Sequence, residues 1–78
     1  MNTNTKSLPS FQRLLLEEMQ PGVWYDCYWN QGSGGVTLPE WFYRQQTEAM
    51  STLRPLVEKK VLILRKLDGW PQVSKPRA

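Results

Sequence analysis

The chain has 78 residues, two-fifths of them apolar, and a formal charge of +3. That allows one domain of slim stability and is too apolar for a chain that stays disordered. It holds no histidine and a single cysteine, Cys27, so it lacks the commonest general base and metal ligand and any internal disulfide.

No stretch reaches the roughly 20 apolar residues that span a bilayer. The first six residues, Met1 to Lys6, are polar and lack the apolar centre of a signal peptide. These features point to a cytoplasmic protein in a reducing compartment. One cysteine and scattered carboxylates give no metal-ligand spacing and no activated nucleophile. The expectation is a binding protein without catalytic residues, metal or cofactor.

Residues 1–6 read as a disordered start to a domain over 7–75, with 76–78 as a tail. The first helix is expected to begin near Ser7 or Ser10, either of which can cap it. Phe11, Leu14, Leu15 and Met19 recur at helical spacing, and Pro21-Gly22 ends the run. Val23 to Trp29 is rich in aromatics and suits a strand. Gln31-Gly32-Ser33-Gly34-Gly35 reads as a flexible connector, because no phosphate-binding glycine motif fits it.

Thr37-Leu38-Pro39-Glu40 has the form of a capping box, which starts a helix at Leu38. The apolar register from Leu38 to Lys60 suits one long helix. Thr47 or Ser51 can cap a new one, and Pro55 is better tolerated in a first turn. The preferred reading is two helices, 38–46 and 48–60. Val61 to Leu67 reads as a strand, Asp68-Gly69 as a two-residue hairpin turn, and Trp70 to Lys75 as the returning strand. Pro71 is expected to confine that returning strand to a sheet edge. Leu14, Leu15, Leu53, Leu56 and Leu62 are expected to share one core.

Charge is unevenly spread. Residues 1–58 hold four bases and six acids, a net of −2, whereas residues 59–78 hold six bases and one acid, a net of +5. A basic end on a mildly acidic body attracts phosphate; a solvated, solubilising tail reads equally well from charge alone.

Helix, short extended segment, helix, helix and basic hairpin is an order that resembles the winged helix-turn-helix superfamily. The likeness is sharpest from Thr52 to Leu62, followed by the Asp68-Gly69 turn. That run is similar to the Leu-x-x-Leu-x-x-x-Gly pattern leading from recognition helix to wing, with Lys60 at the glycine position. The resemblance implies a small α+β domain of winged-helix type, three helices with a C-terminal β-hairpin. It also implies duplex DNA as partner, with the recognition helix in the major groove and the wing on adjacent backbone. Leu53 and Leu56 would then pack inward. Arg44, Gln45, Gln46, Glu48 and Ser51 would face the groove edge, where they could read bases. Arg54, Lys59 and Lys60, with Arg65, Lys66 and Lys75 on or beside the wing, would meet phosphates. A small transcriptional regulator or architectural accessory factor is the function this implies, and the brevity of the chain suits a phage or mobile element.

Seven aromatics fall within 20 residues, from Trp24 to Tyr43. Strand alternation sends Trp24 and Tyr28 to one face and Tyr25 and Trp29 to the other, so some must be exposed. At least two of Trp24, Tyr25, Tyr28, Trp29 and Tyr43 are expected to be accessible. They would serve a homodimer contact, or the main site of a protein-binding adaptor or inhibitor. Stacking on unpaired bases is a third use.

Overall fold

The computed structural model describes residues 9–29, 31–45 and 48–77. Residues 1–6, with Ser7, Gln46 and Thr47, lie outside the described residues. What is described is a small α+β domain with three helices and a four-stranded sheet.

Helix α1 spans Ser10–Glu18. Its N-cap is Pro9, whose carbonyl accepts from the Arg13 N–H at 3.0 Å. Ser10 is therefore the first helical residue and not the cap expected for it. The buried face is Leu15, Leu16 and Met19, while Leu14 is 53% exposed. This overturns the placement of Leu14 in the core. Three leucines in a row fit two apolar faces one residue apart, so spacing alone cannot choose the rotation. Tertiary contact does: Gln12 Nε2 donates to the Thr52 carbonyl, which turns the 12/15/16/19 side toward the rest of the domain.

Strand β1, Trp24–Asp26, is shorter than the expected 23–29. After it, Tyr28 N–H donates to Gln31 Oε1 and the chain bends away. Strand β2, Val36–Thr37, runs parallel to β1 and was not anticipated. Because Thr37 pairs with Asp26 in that ladder, it does not cap the next helix. Helix α2, Glu40–Gln45, accordingly starts two residues later than expected.

Helix α3, Ala49–Glu58, is capped by Glu48, whose carboxylate accepts from the Met50 N–H at 3.1 Å. Ser51, one of the expected caps, lies inside the helix, and so does Pro55, well past the first turn. The carbonyl that this proline leaves unpaired, four residues back, belongs to Ser51, an exposed residue. Separate helices either side of residues 46–47 match the two-helix reading within the described residues.

The end of α3 shows how a lysine can stand at a helix-closing position where glycine is usual. Val61 N–H donates to the Leu56 carbonyl and Lys60 N–H to the Val57 carbonyl, the two bonds of a Schellman motif. Lys60 is the residue that turns left-handed, at φ 64°. Val61 and Leu56 are both buried, supplying the apolar contact that accompanies this motif.

Strands β3, Ile63–Leu67, and β4, Trp70–Ser74, form an antiparallel hairpin in which Leu67 pairs with Trp70. Asp68 and Gly69 both have positive φ, 53° and 84°, as a type I′ turn requires. The sheet order is β2-β1-β4-β3. Strand β4 is thus central, which corrects the expectation that Pro71 would hold it at an edge. The β1 ladder covers only Gln72 to Ser74, so Pro71 sits one residue beyond it. Its carbonyl still accepts from Cys27 N–H, and only its missing donor falls outside the ladder.

The core lies where the three helices meet the inner side of the sheet. Leu15, Phe42, Leu53, Leu56, Leu62 and Val73 are fully shut off from solvent or within 1% of it. Four of the five leucines expected there are present.

Candidate nucleic-acid interface

Burial of Ala49, Leu53 and Leu56 turns the opposite side of α3 outward. Glu48, Ser51, Arg54 and Glu58 line an open groove of about 450 Å³ there, with Tyr28 on its other wall. Tyr28 Oη donates to Glu48 Oε1 at 2.6 Å. That bond pushes the phenol pKa up to about 12 and holds the Glu48 carboxyl below its usual range. Glu48 is also engaged as the α3 cap, so this expected base reader already has two partners.

The other expected contacts divide. Lys59, Lys60 and Lys66 are exposed, as is Arg54, and among the described residues none of them is in an ion pair. Arg44 pairs with Glu40 one turn away, on the surface of α2, and Gln45 is exposed beside it. Gln46 lies outside the described residues. Lys75 is turned inward: its Nζ donates to the Leu16 carbonyl at 2.8 Å and lies 3.5 Å from that of Met19. A cation on the last carbonyls of a helix is a C-terminal cap. Arg65 lies over the Trp24 ring at 4.2 Å, and its Nε donates to Gln72 Oε1 at 2.9 Å. The +5 of the basic end is therefore not all available to a ligand.

The aromatic positions do not form one belt. Tyr25 is 5% exposed and its hydroxyl accepts from Gln20 N–H at 2.7 Å, so it offers no contact surface in this fold. Tyr43 is half-buried; its hydroxyl donates to the Asp26 carbonyl and accepts from Leu38 N–H, tying α2 to β1. Trp29, 55% exposed, meets Tyr43 edge-on at 5.5 Å. Trp24 is on the outer side of the sheet under Arg65, and Tyr28 is at the α3 groove. Of the five, Trp29 alone is fully in the open.

A cluster that sequence reasoning missed sits on that outer side. Asp26, Gln31 and Gln72 are polar and buried. Asp26 Oδ1 accepts from Ser33 Oγ, from Gln72 Nε2 at 3.0 Å and from Gln31 Nε2 at 3.3 Å. Gln31 also donates to the Pro71 carbonyl. The glycine-rich segment taken for a flexible connector is thus fastened to the sheet. Gly35 is required, since a β-carbon there would collide with Asp26 and Gln72. The one sequence signal was the alternation that puts Asp26 and Gln72 opposite their apolar neighbours, and it reads as ordinary solvent-facing polarity. No protein family, no curated protein and no solved structure matches this chain, so the comparisons lend the winged-helix resemblance no support.

Proposed function

We propose that this is a small DNA-binding domain of winged-helix type, a regulator or architectural factor that grips duplex backbone with the cations between Arg54 and Lys66. The observation that carries the reading is the path of the chain from α3 into the hairpin. Strand β1 pairs with the second hairpin strand, giving the order β1-β4-β3, and α3 leads into β3 through the Lys60 turn. That is the strand order a winged helix uses, with β2 as an addition. Along this path Arg54, Lys59, Lys60 and Lys66 are all exposed.

The recognition helix would bring Ser51 and Arg54 to base edges, and Lys59, Lys60 and Lys66 to phosphates. Glu48 and Glu58 on the same helix would repel backbone and so favour a base-edge role for that face. Three cations on phosphates give a slope of log affinity against log salt of about −2.7, at about −0.9 each. The test is an anisotropy titration of a mixed duplex pool over a range of salt. Lys59→Ala with Lys66→Ala is expected to weaken binding to every sequence and flatten the slope by about two contacts' worth. Lys75→Ala is expected to leave the slope unchanged while lowering stability. No binding to any duplex at low salt would defeat the proposal.

A further inference from the structure

Strand β3 is the last strand of the sheet, and all five of its residues are exposed. Among the described residues no strand pairs with its outer side. The hairpin register says which backbone groups are left there. A two-residue turn makes Leu67 and Trp70 a hydrogen-bonded pair, so Arg65 and Ile63 also bond inward to β4. Leu64 and Lys66 therefore point their N–H and C=O groups away from the sheet. Such an edge is a template for another strand unless something blunts it.

Side chains along the edge indicate what that strand must carry. Ile63, Leu64 and Leu67 are large, apolar and at least 36% exposed, with Trp70 beside them. The segment from Lys59 to Leu67 contains four cations and no acid. A second copy of the chain fits poorly. Antiparallel self-pairing through the Leu64 and Lys66 amides sets Arg65 directly opposite Arg65 of the other copy, and pairing about Lys66 sets lysine against lysine. Opposite charge facing the exposed Lys66 is favourable instead.

We propose that the β3 edge accepts, as a fifth strand, an extended segment of another protein in which acidic and apolar residues alternate. Main-chain bonds to Leu64 and Lys66 would hold it, apolar side chains would cover Ile63 and Leu67 on one face, and carboxylates on the other face would meet Lys66. The proposal stands apart from DNA binding, although Lys66 serves both, so acidic peptide and duplex would compete in part.

The test uses the full chain and a short blocked peptide of alternating glutamate and valine, with a lysine–valine peptide as control. Amide hydrogen exchange is expected to slow about tenfold or more at Leu64 and Lys66 with the acidic peptide only. Lys66→Pro removes one outward N–H at an edge position where proline is tolerated, and is expected to abolish binding. Lys66→Gln keeps the N–H and is expected to bind more weakly with the same exchange pattern. Absence of protection at those two amides, equal protection by the lysine peptide, or protection by duplex DNA alone would overturn the proposal. So would undiminished binding by Lys66→Pro; were that variant unfolded, the exchange map of the unaltered chain decides. The two proposals fail separately, because Lys66→Pro retains Arg54, Lys59 and Lys60 and is expected to lose only one phosphate contact.

Discussion

Val73 and Gln72 are neighbours on β4, face opposite sides of the sheet, and are both closed to solvent, at 0% and 1% exposure. Val73 is covered by helices and belongs to the apolar core. Gln72 is covered by a loop of five residues, and what closes over it is a set of hydrogen bonds centred on Asp26. Apolar burial is additive and nearly indifferent to direction, so the inner side can absorb small changes in shape. A buried polar network holds only while each donor keeps its acceptor, and a half-satisfied one is worse than none. The two sides of one sheet should therefore respond differently to substitution.

The largest effect is expected inside. Leu56→Ala should cost about 2–5 kcal/mol, much of the roughly 5 kcal/mol at the lower end for a domain. Leu14→Ala on the exposed side of α1 should cost within about 0.5 kcal/mol. Urea midpoints of the two variants check the rotation assigned to α1; equal losses would contradict it.

Next comes the outer side. Asp26→Ala removes an acceptor shared by Ser33, Gln72 and Gln31, at about 1–3 kcal/mol for each donor left without another. Asp26→Asn preserves an accepting oxygen and should be clearly milder. If the alanine and asparagine variants unfold alike, the network is not what closes that face. Gly35→Ala should fall between them, because the added carbon forces Asp26 and Gln72 apart.

A smaller gain is expected at the junction between helix and hairpin. Lys60 has a positive φ with a side chain attached, so Lys60→Gly should relieve about 1 kcal/mol of backbone strain. Thermal melting of this variant should rise by several degrees at this chain length. A lower melting temperature would mean that Lys60 contributes through contacts of its side chain.

At neutral pH the last effect is nil, and it appears only in alkali. Burial, with Asp26 nearby, pushes the Cys27 thiol from 9.0 up to about 12. Below pH 9 both folded and unfolded chains keep that proton. Above it the unfolded chain releases the proton first, so stability is lost as pH rises from 9 toward 12. Tyr43, raised to about 12 mainly by burial, acts in the same direction. Cys27→Ala should flatten the alkaline decline without abolishing it, as read from urea midpoints across that range.

Local chemistry was enough for the elements whose cause is local. Asp68-Gly69 specifies its turn because two adjacent positive φ angles suit few other residue pairs, and the hairpin follows. The periodic leucines of α3 identify their buried side because Leu53 and Leu56 have no competing register. The charge imbalance between residues 1–58 and 59–78 is likewise a property of the chain. Where cations end up is not: Lys75 and Arg65 count toward that imbalance, yet one caps α1 and the other lies on Trp24. The rotation of α1, the pairing of β2, the central place of β4 and the fastening of the 31–35 loop were settled only in the folded state. Each depends on a partner distant in the chain: Thr52 for Gln12, Pro71 for Gln31, Gln72 for Asp26. Spacing within a segment reports which side chains share a face; it carries no information about which distant group will meet that face, and that meeting decides whether a polar residue is solvated or buried.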